Sequence, residues 1–136
     1  MTISFTSSLD AGHTTSTTYA AALTGWAVTA LTVTFVAPPT GAVLLHFGAR
    51  MLTQSSTTAT ACMGVQITQG STVVLAANDE NAASHGGTVY SSVSTMFRVY
   101  GLTPGATVTV TAMQRTSDAA VTCWFDNLFI RADPAN

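Results

Sequence analysis

The stretch LTVTFVAPPTGAVLLHFGARM, residues 31–51, decides the fold of this chain. In residues 31–35 apolar side chains alternate with threonines, and this two-residue period predicts a half-buried β-strand. The sequence PPTG at 38–41 predicts a tight turn, because proline cannot donate a ladder hydrogen bond and glycine tolerates positive φ. A second alternating run covers residues 43–51. We therefore expect two neighbouring strands whose apolar faces meet one core.

The rest of the chain repeats this pattern in shorter pieces that are separated by turn-forming residues. We expect about eight or nine strands at a spacing of roughly 8 to 12 residues and no amphipathic helix, a pattern typical of a β-sandwich. The fold prediction is all-β: a single antiparallel β-sandwich, jelly-roll-like, in which residues 1–136 form one domain. Besides the two strands within residues 31–51, the predicted strands are 2–6, 59–68, 72–77, 89–100, 106–114 and 120–131.

Three other segments have weaker patterns. Residues 7–18 and 78–88 are rich in small polar or turn-forming residues and are predicted to be loops. Residues 19–23 fit either a strand or a single helical turn. In the last strand the apolar phase shifts near residues 126–127, which predicts a β-bulge.

The composition is unusual in its lack of charge. Only 7% of residues are charged, against about a quarter in an average soluble domain, whereas 47% are hydrophobic. The chain has no lysine and 25 threonines, so its polar surface consists mainly of hydroxyl groups. Such a surface favours burial against partners. The net charge of −2 predicts no nucleic-acid and no membrane partner, and we expect neither a transmembrane segment nor a secretory signal.

The titratable residues form no recognisable catalytic or metal-binding motif. The three histidines are not spaced as a metal pair, and His46 fits a partly exposed or interface position. Glycoside hydrolysis needs two carboxylates held by a rigid scaffold, and the adjacent Asp79 and Glu80 fit a solvated loop better. We expect no enzyme activity, no catalytic, cofactor-binding or metal-binding residues, and no cofactor. The candidate residues for such chemistry are His13, His46, His85, Asp79, Glu80, Asp118 and Asp126.

Two features allow more than one interpretation. Asp126 and Asn127 interrupt an apolar strand, and they fit either a bulge with local backbone hydrogen bonds or a calcium or sugar site. Trp124 is out of phase with its apolar neighbours and should point away from the core, which suits a subunit interface with Phe129 and Met113 or a sugar platform. The candidate residues for sugar stacking are Trp26, Tyr90, Tyr100 and Trp124.

The two cysteines belong to no CxxC pair, so zinc and redox chemistry are not expected. Cys62 is out of phase with the apolar residues of its strand, whereas Cys123 is in phase with those of its own. We expect two reduced cysteines packed as small apolar groups, with a disulfide as the alternative.

The run from His13 to Met51 resembles small β-rich virion proteins encoded among the structural genes of tailed phages of actinobacteria. The resemblance rests on a Thr/Ser-rich entry with Tyr19, APPTG at 37–41, and YGLTPGATVTVTAMQRTS at 100–117. It implies a structural or adhesive virion component, commonly trimeric, and it supplies no catalytic residues. The final FDNLFIR at 125–131 is also similar to the closing strand of some carbohydrate-binding jelly rolls.

The leading functional prediction is therefore a non-enzymatic capsid decoration protein. It would be made in the cytoplasm of the host bacterium, bind the major capsid protein on the virion surface, and assemble as a homotrimer. The alternative is a tail-fibre or head-fibre adhesin module that binds cell-surface glycans. A decoration protein is expected to attach through its N-terminal residues, which would pair with an exposed strand edge on the shell.

Overall fold

The computed structural model describes residues 3–26 and 30–136. One 3₁₀ turn, Asp79–Asn81, is present in this part of the chain, and the Asn78 side chain accepts a hydrogen bond from the backbone of Asn81 at its start. None of the described residues forms a helix long and apolar enough to cross a membrane. The strands, in chain order, are β1 Ser4–Ser8, β2 Gly12–Thr14, β3 Thr32–Val36, β4 Val43–Thr53, β5 Ala61–Gln69, β6 Thr72–Leu75, β7 Ala83–His85, β8 Ser91–Val99, β9 Thr107–Thr116 and β10 Cys123–Pro134.

These strands form two antiparallel sheets packed face to face. Sheet A has the order β1-β10-β4-β8, and β2 pairs with another part of β10; sheet B has the order β3-β9-β5-β6, and β7 pairs with another part of β5. The pairing is nested: β5 with β6, β4 with β8, β3 with β9, and β2 with β10. From the outermost pair to the innermost, these strand pairs lie alternately in sheet A and sheet B, which is the jelly-roll arrangement. The predicted all-β, jelly-roll-like sandwich is confirmed.

The core lies between the sheets and follows the alternation of the sequence. In β4 the inward Leu45 and Phe47 are completely buried, whereas the outward Leu44 and His46 are half-buried. Phe47 and Phe125 are the largest fully buried side chains. Each buried side chain of this size stabilises the fold by about 1.5 to 3 kcal/mol.

Residues 31–51 form two strands and a turn as predicted, but the two strands do not pair with each other. β3 and β4 are not hydrogen-bonded neighbours, because they belong to opposite sheets and meet only across the core. The turn between them is confirmed: Gly41 has φ +66° and its N–H donates to the carbonyl of Pro38. A Cβ at this position would also collide with the carbonyl of Leu102, so glycine is required here for two reasons.

The predicted loops contain short strands that the sequence did not indicate. β2 lies within the predicted loop 7–18, and β7 lies within the predicted loop 78–88. Each has only three residues, which is too short for a periodic pattern, and each is positioned by pairing with a long strand. In segment 19–23 there is no helical turn; Ala20 instead forms an isolated bridge with Gln114. The first strand begins at Ser4 rather than at residue 2, which lies outside the described residues.

The expected bulge in the last strand is present. The register between β10 and β4 shifts between Asp126 and Phe129, and Asn127 has φ +50°. Asn127 tolerates this left-handed conformation better than most residues. The extra residue restores the inward orientation of Leu128 and Ile130, and both are completely buried.

Both cysteines are free and buried, as expected. Cys62 faces outward on β5, opposite Arg115 of β9, but it is only 5% exposed. Burial is the main cause that raises the pKa of both thiols. Each cysteine therefore remains a neutral thiol near pH 7 and packs as a small apolar group.

Candidate functional site

The outer face of sheet A carries an open cleft of about 420 Å³. Its position follows from strand register: Leu52 of β4 is paired with Trp124 of β10, and Tyr90 immediately precedes β8, the strand on the other side of β4. Trp124 and Tyr90 are the two aromatic residues of its lining. Its lining consists of Leu52, Gln54, Ser55, Thr88, Tyr90 and Trp124.

Trp124 is held in place on two sides. Its ring packs against that of His13 in the neighbouring strand β2, with the ring centroids 4.5 Å apart. Its indole Nε1 donates a hydrogen bond of 2.9 Å to Oε1 of Gln54. An indole fixed in this way loses little side-chain entropy when a ligand stacks on it, which favours binding. The prediction that Trp124 points away from the core is confirmed.

Tyr90 is held by an ion pair next to the cleft. The guanidinium of Arg50 lies 4.6 Å from the centre of the Tyr90 ring. Arg50 donates two hydrogen bonds to Asp126, Nε to Oδ1 at 2.8 Å and Nη2 to Oδ2 at 2.6 Å. The bidentate geometry fixes the plane of the guanidinium and, through it, the Tyr90 ring. Burial, followed by the nearby Asp126 carboxylate, raises the pKa of Tyr90, so its hydroxyl stays protonated near neutral pH.

This ion pair corrects one sequence interpretation. Asp126 lies at a bulge, as expected, but its carboxylate accepts hydrogen bonds from Arg50 of β4, a residue distant in sequence. Sequence reasoning missed the pair because the two residues are 76 positions apart and meet only through the β4–β10 register. The Arg50 side chain is 41% exposed and that of Asp126 is 11% exposed, so the guanidinium reaches the surface whereas the carboxylate is largely covered.

A second, smaller depression of about 190 Å³ lies on the other side of Arg50. Ser92, Ser94, Asn127 and Phe129 contribute to its lining. His46 packs edge-on against Phe129 with the ring centroids 5.0 Å apart, and its Nε2 is 3.1 Å from the Ser94 hydroxyl. The outer face of sheet A thus presents two adjacent depressions with Arg50 between them.

The remaining aromatic candidates lie elsewhere. Trp26 packs partly against the core and donates its indole N–H to the carbonyl of Asp10. Tyr100 is 67% exposed and stacks with Arg98. Met113 does not lie beside Trp124 and Phe129, as the interface interpretation required, because β9 places it on the outer face of sheet B. Only Tyr90 and Trp124 of the four proposed sugar-stacking residues line the cleft.

The candidate carboxylates are distributed over separate parts of the molecule. Asp126 lies on sheet A, and Asp118 accepts a hydrogen bond from the Ala120 backbone in the turn before β10. Residues 3–26 and 30–136 contain no group of three or more His, Cys, Asp or Glu side chains arranged to hold a metal ion. His85 is also separate from the cleft, and its Nε2 lies 3.1 Å from the carbonyl oxygen of Val89.

Asp79 belongs to a polar cluster on the outer side of sheet B. It accepts hydrogen bonds from the Tyr19 hydroxyl at 2.7 Å and from Nε and Nη2 of Arg115 at 3.0 and 2.5 Å. The Arg115 hydrogen bonds, followed by that from Tyr19, lower the pKa of Asp79. The Tyr19 ring also packs over Gly64 of β5. Because its polar groups bind one another, the cluster fastens Tyr19 and the 3₁₀ turn to sheet B.

Comparison with known proteins gives no family and a weak structural similarity. No protein-family model matches the chain, and no curated protein matches it. Among the solved structures that match is the CBM22-1 xylan-binding domain from Paenibacillus barcinonensis Xyn10C, with 11% sequence identity and a TM-score of 0.40. The match covers 97% of this chain and 87% of that one. A similarity of this size assigns no ligand or function to the present chain.

Proposed function

We propose that the chain is a carbohydrate-binding module that recognises a glycan on the outer face of sheet A. The observation that carries this proposal is the cleft in which Trp124 and Tyr90 are both held in place around Leu52. This corresponds to the adhesin alternative from the sequence rather than to the capsid decoration role. The module would act by binding alone, without a catalytic residue.

The chemistry of the cleft suits a neutral sugar. A sugar ring has apolar C–H faces and a rim of hydroxyl groups, so it needs an aromatic surface together with hydrogen-bonding side chains. Trp124 and Tyr90 supply the first, whereas Gln54, Ser55 and Thr88 supply amide and hydroxyl groups. The nearest ion pair, Arg50 with Asp126, is internally neutralised and does not demand a charged ligand.

The test uses tryptophan fluorescence and calorimetry with glucose-, xylose-, mannose- and galactose-based oligosaccharides. We expect at least one of them to bind the full chain. Replacing Trp124 by Ala should weaken that binding about tenfold or more, because tenfold corresponds to about 1.4 kcal/mol and a buried aromatic side chain contributes at least as much. Tyr90→Ala should act in the same direction.

Tyr100→Ala is the matched control, because Tyr100 is an exposed aromatic residue outside the cleft. It should leave the affinity unchanged. Binding that survives Trp124→Ala, or that is lost equally in Tyr100→Ala, would contradict the proposed site. Absence of binding to the whole panel and to glycans from host cells would contradict the proposed function.

Capsid decoration is a second candidate, favoured by apolar side chains at one edge of sheet A. Phe5 in β1 is 57% exposed and Leu9, which follows β1, is 81% exposed. Exposed apolar residues beside a strand at the edge of a sheet suit attachment to another protein. In this role the chain would bind the major capsid protein on the virion surface as a homotrimer. Hundreds of copies per purified virion would favour decoration, and a few to tens would favour the adhesin.

The structure changes the attachment mechanism expected for this candidate. Residues 4–8 already pair with Leu128–Ala132 of β10 within the same chain. To pair with a strand of the capsid protein as a free arm, these residues would first have to detach from sheet A. Attachment would instead use the outer edge of β1.

A further inference from the structure

The sandwich is open along the side formed by β6 and β8. β8 is an edge strand of sheet A, with β4 as its one paired neighbour among the described residues. Its inward side chains Val93, Thr95 and Phe97 are only half-buried, although the inward residues of β4 are fully buried. The core is therefore incompletely covered where β8 lies.

Exposed apolar side chains concentrate along this side. Val73 and Val74 of β6 are 49% and 43% exposed, Met96 of β8 is 54% exposed, and Val89 and Tyr100 flank β8 with 76% and 67% exposure. A groove of about 300 Å³ runs between the two edge strands, and Val74, Phe97 and Tyr100 contribute to its lining. A surface of this kind favours contact with another protein.

β8 also lacks the features that normally protect an edge strand. Proteins block free edges with short strands, lysine, proline, bulges or inward charges. The other edge strands here have three to five residues, whereas β8 has nine and the sequence SSVSTMFRV, without lysine, proline or an inward charge. Its register with β4 is continuous from Ser91 to Val99, so no bulge turns it away.

We propose that the β8 edge pairs with β8 of a second copy, so that the two A sheets join in an antiparallel manner around a two-fold axis. The strand is complementary to itself. With maximal overlap Thr95 lies on the axis, and Arg98, the one charged residue of β8, lies opposite Ser92 of the other copy. No like charges meet, and the half-buried Val93 and Phe97 face each other across the new strand pair.

This assembly differs from the homotrimer predicted at the level of the sequence, and it is independent of the glycan proposal. The contact is isologous, so it closes with two copies and leaves no further β8 edge free. It also explains how a long edge strand in a chain with 7% charged residues avoids open-ended association.

The test is light scattering of the full chain at up to about 100 µM, with a matched pair of variants at Thr95. The expected particle has about 28 kDa, twice the 14.0 kDa chain. Thr95→Lys should give a monomer. The ammonium group of the introduced lysine can reach water at the open edge of a monomer, but it would be buried in the dimer. Thr95→Val keeps the shape without the charge and should retain the dimer.

A second pair of variants tests the register. Ser92→Arg would place a second guanidinium opposite Arg98 of the other copy at two symmetric positions, and this repulsion should weaken the dimer about tenfold or more. Ser92→Glu would create two ion pairs instead and should maintain it. A wild-type monomer at about 100 µM, a trimer of about 42 kDa, or a Thr95→Lys protein that is folded by circular dichroism and still dimeric would each overturn the proposal.

Discussion

Replacing Gln114 by Met should stabilise the protein. Gln114 lies on the inward side of β9, next to Met63 of β5, and is completely buried. Neither amide atom of its side chain has a hydrogen-bond partner among the described residues. Its backbone is satisfied, since it exchanges two hydrogen bonds with Ala20. The cost of this residue therefore lies in the side-chain amide.

The size of the effect follows from the desolvated amide. Burying such a group without a partner costs about 1 to 3 kcal/mol according to mutational data. Met has a similar length and no strong polar group, so it should fill the same space. With an unfolding entropy of about 2.1 cal/mol/K per residue, each kcal/mol raises the Tm of a chain of this length by about 3.5 °C. We expect a gain of about 3 to 10 °C.

Scanning calorimetry and urea unfolding would measure this gain, with Gln66→Met as the control. Gln66 is half-buried on the outward side of β5, and its replacement should change stability by less than about 0.5 kcal/mol. If Gln114→Met lowers stability by more than about 1 kcal/mol, the reasoning fails. The amide would then have a favourable partner, such as an ordered water molecule.

Three further predictions concern the N-terminus, the cysteines and acid stability. Deleting residues 1–8 should lower the Tm by several degrees, because it leaves Leu128–Ala132 of β10 without a partner strand on one side, and an unchanged Tm would show that β1 is dispensable. Reducing agent should leave the Tm unchanged, because Cys62 and Cys123 are free thiols, and a drop would reveal a disulfide. The pKa of Asp79 is lower in the folded protein than in the unfolded chain, where it is about 4. The ionised side chain therefore stabilises the fold above about pH 4, and this stabilisation is lost as the pH falls through the folded-state pKa. The stability difference between the wild type and Asp79→Asn should therefore shrink below about pH 4. It should be under about 1 kcal/mol near neutral pH, since this side chain is 58% exposed, and a pH-independent difference would contradict the assignment.

The alternation of apolar residues predicted which residues face the core, because side-chain direction along a strand is a local property. Val108, Val110 and Ala112 were expected inward and are completely buried. The same reasoning correctly oriented Trp124 and located the bulge at residues 126–127. It failed for the three-residue strands β2 and β7, which are shorter than any detectable period and depend on long partners.

The cleft was only partly predictable. Tyr90 and Trp124 were recognised as candidate sugar-stacking residues from their type and phase, but so were Trp26 and Tyr100, which lie elsewhere. The neighbouring sequence does not distinguish Tyr90 and Trp124 from Trp26 and Tyr100. The neighbour that brings Tyr90 and Trp124 together is β4, which is distant in sequence from both and supplies Leu52 between them.

The sequence by itself thus determined the longer strands, their buried faces, the Gly41 turn and a surface with few charges, since each depends on residues close together in the chain. The tertiary structure alone decided that β3 and β4 belong to opposite sheets, that Arg50 binds Asp126, and that β8 remains an open edge. These features depend on which strands pair and in which register. Such pairing is set by the packing of the whole sandwich, because alternating strands of similar composition can pair with many partners.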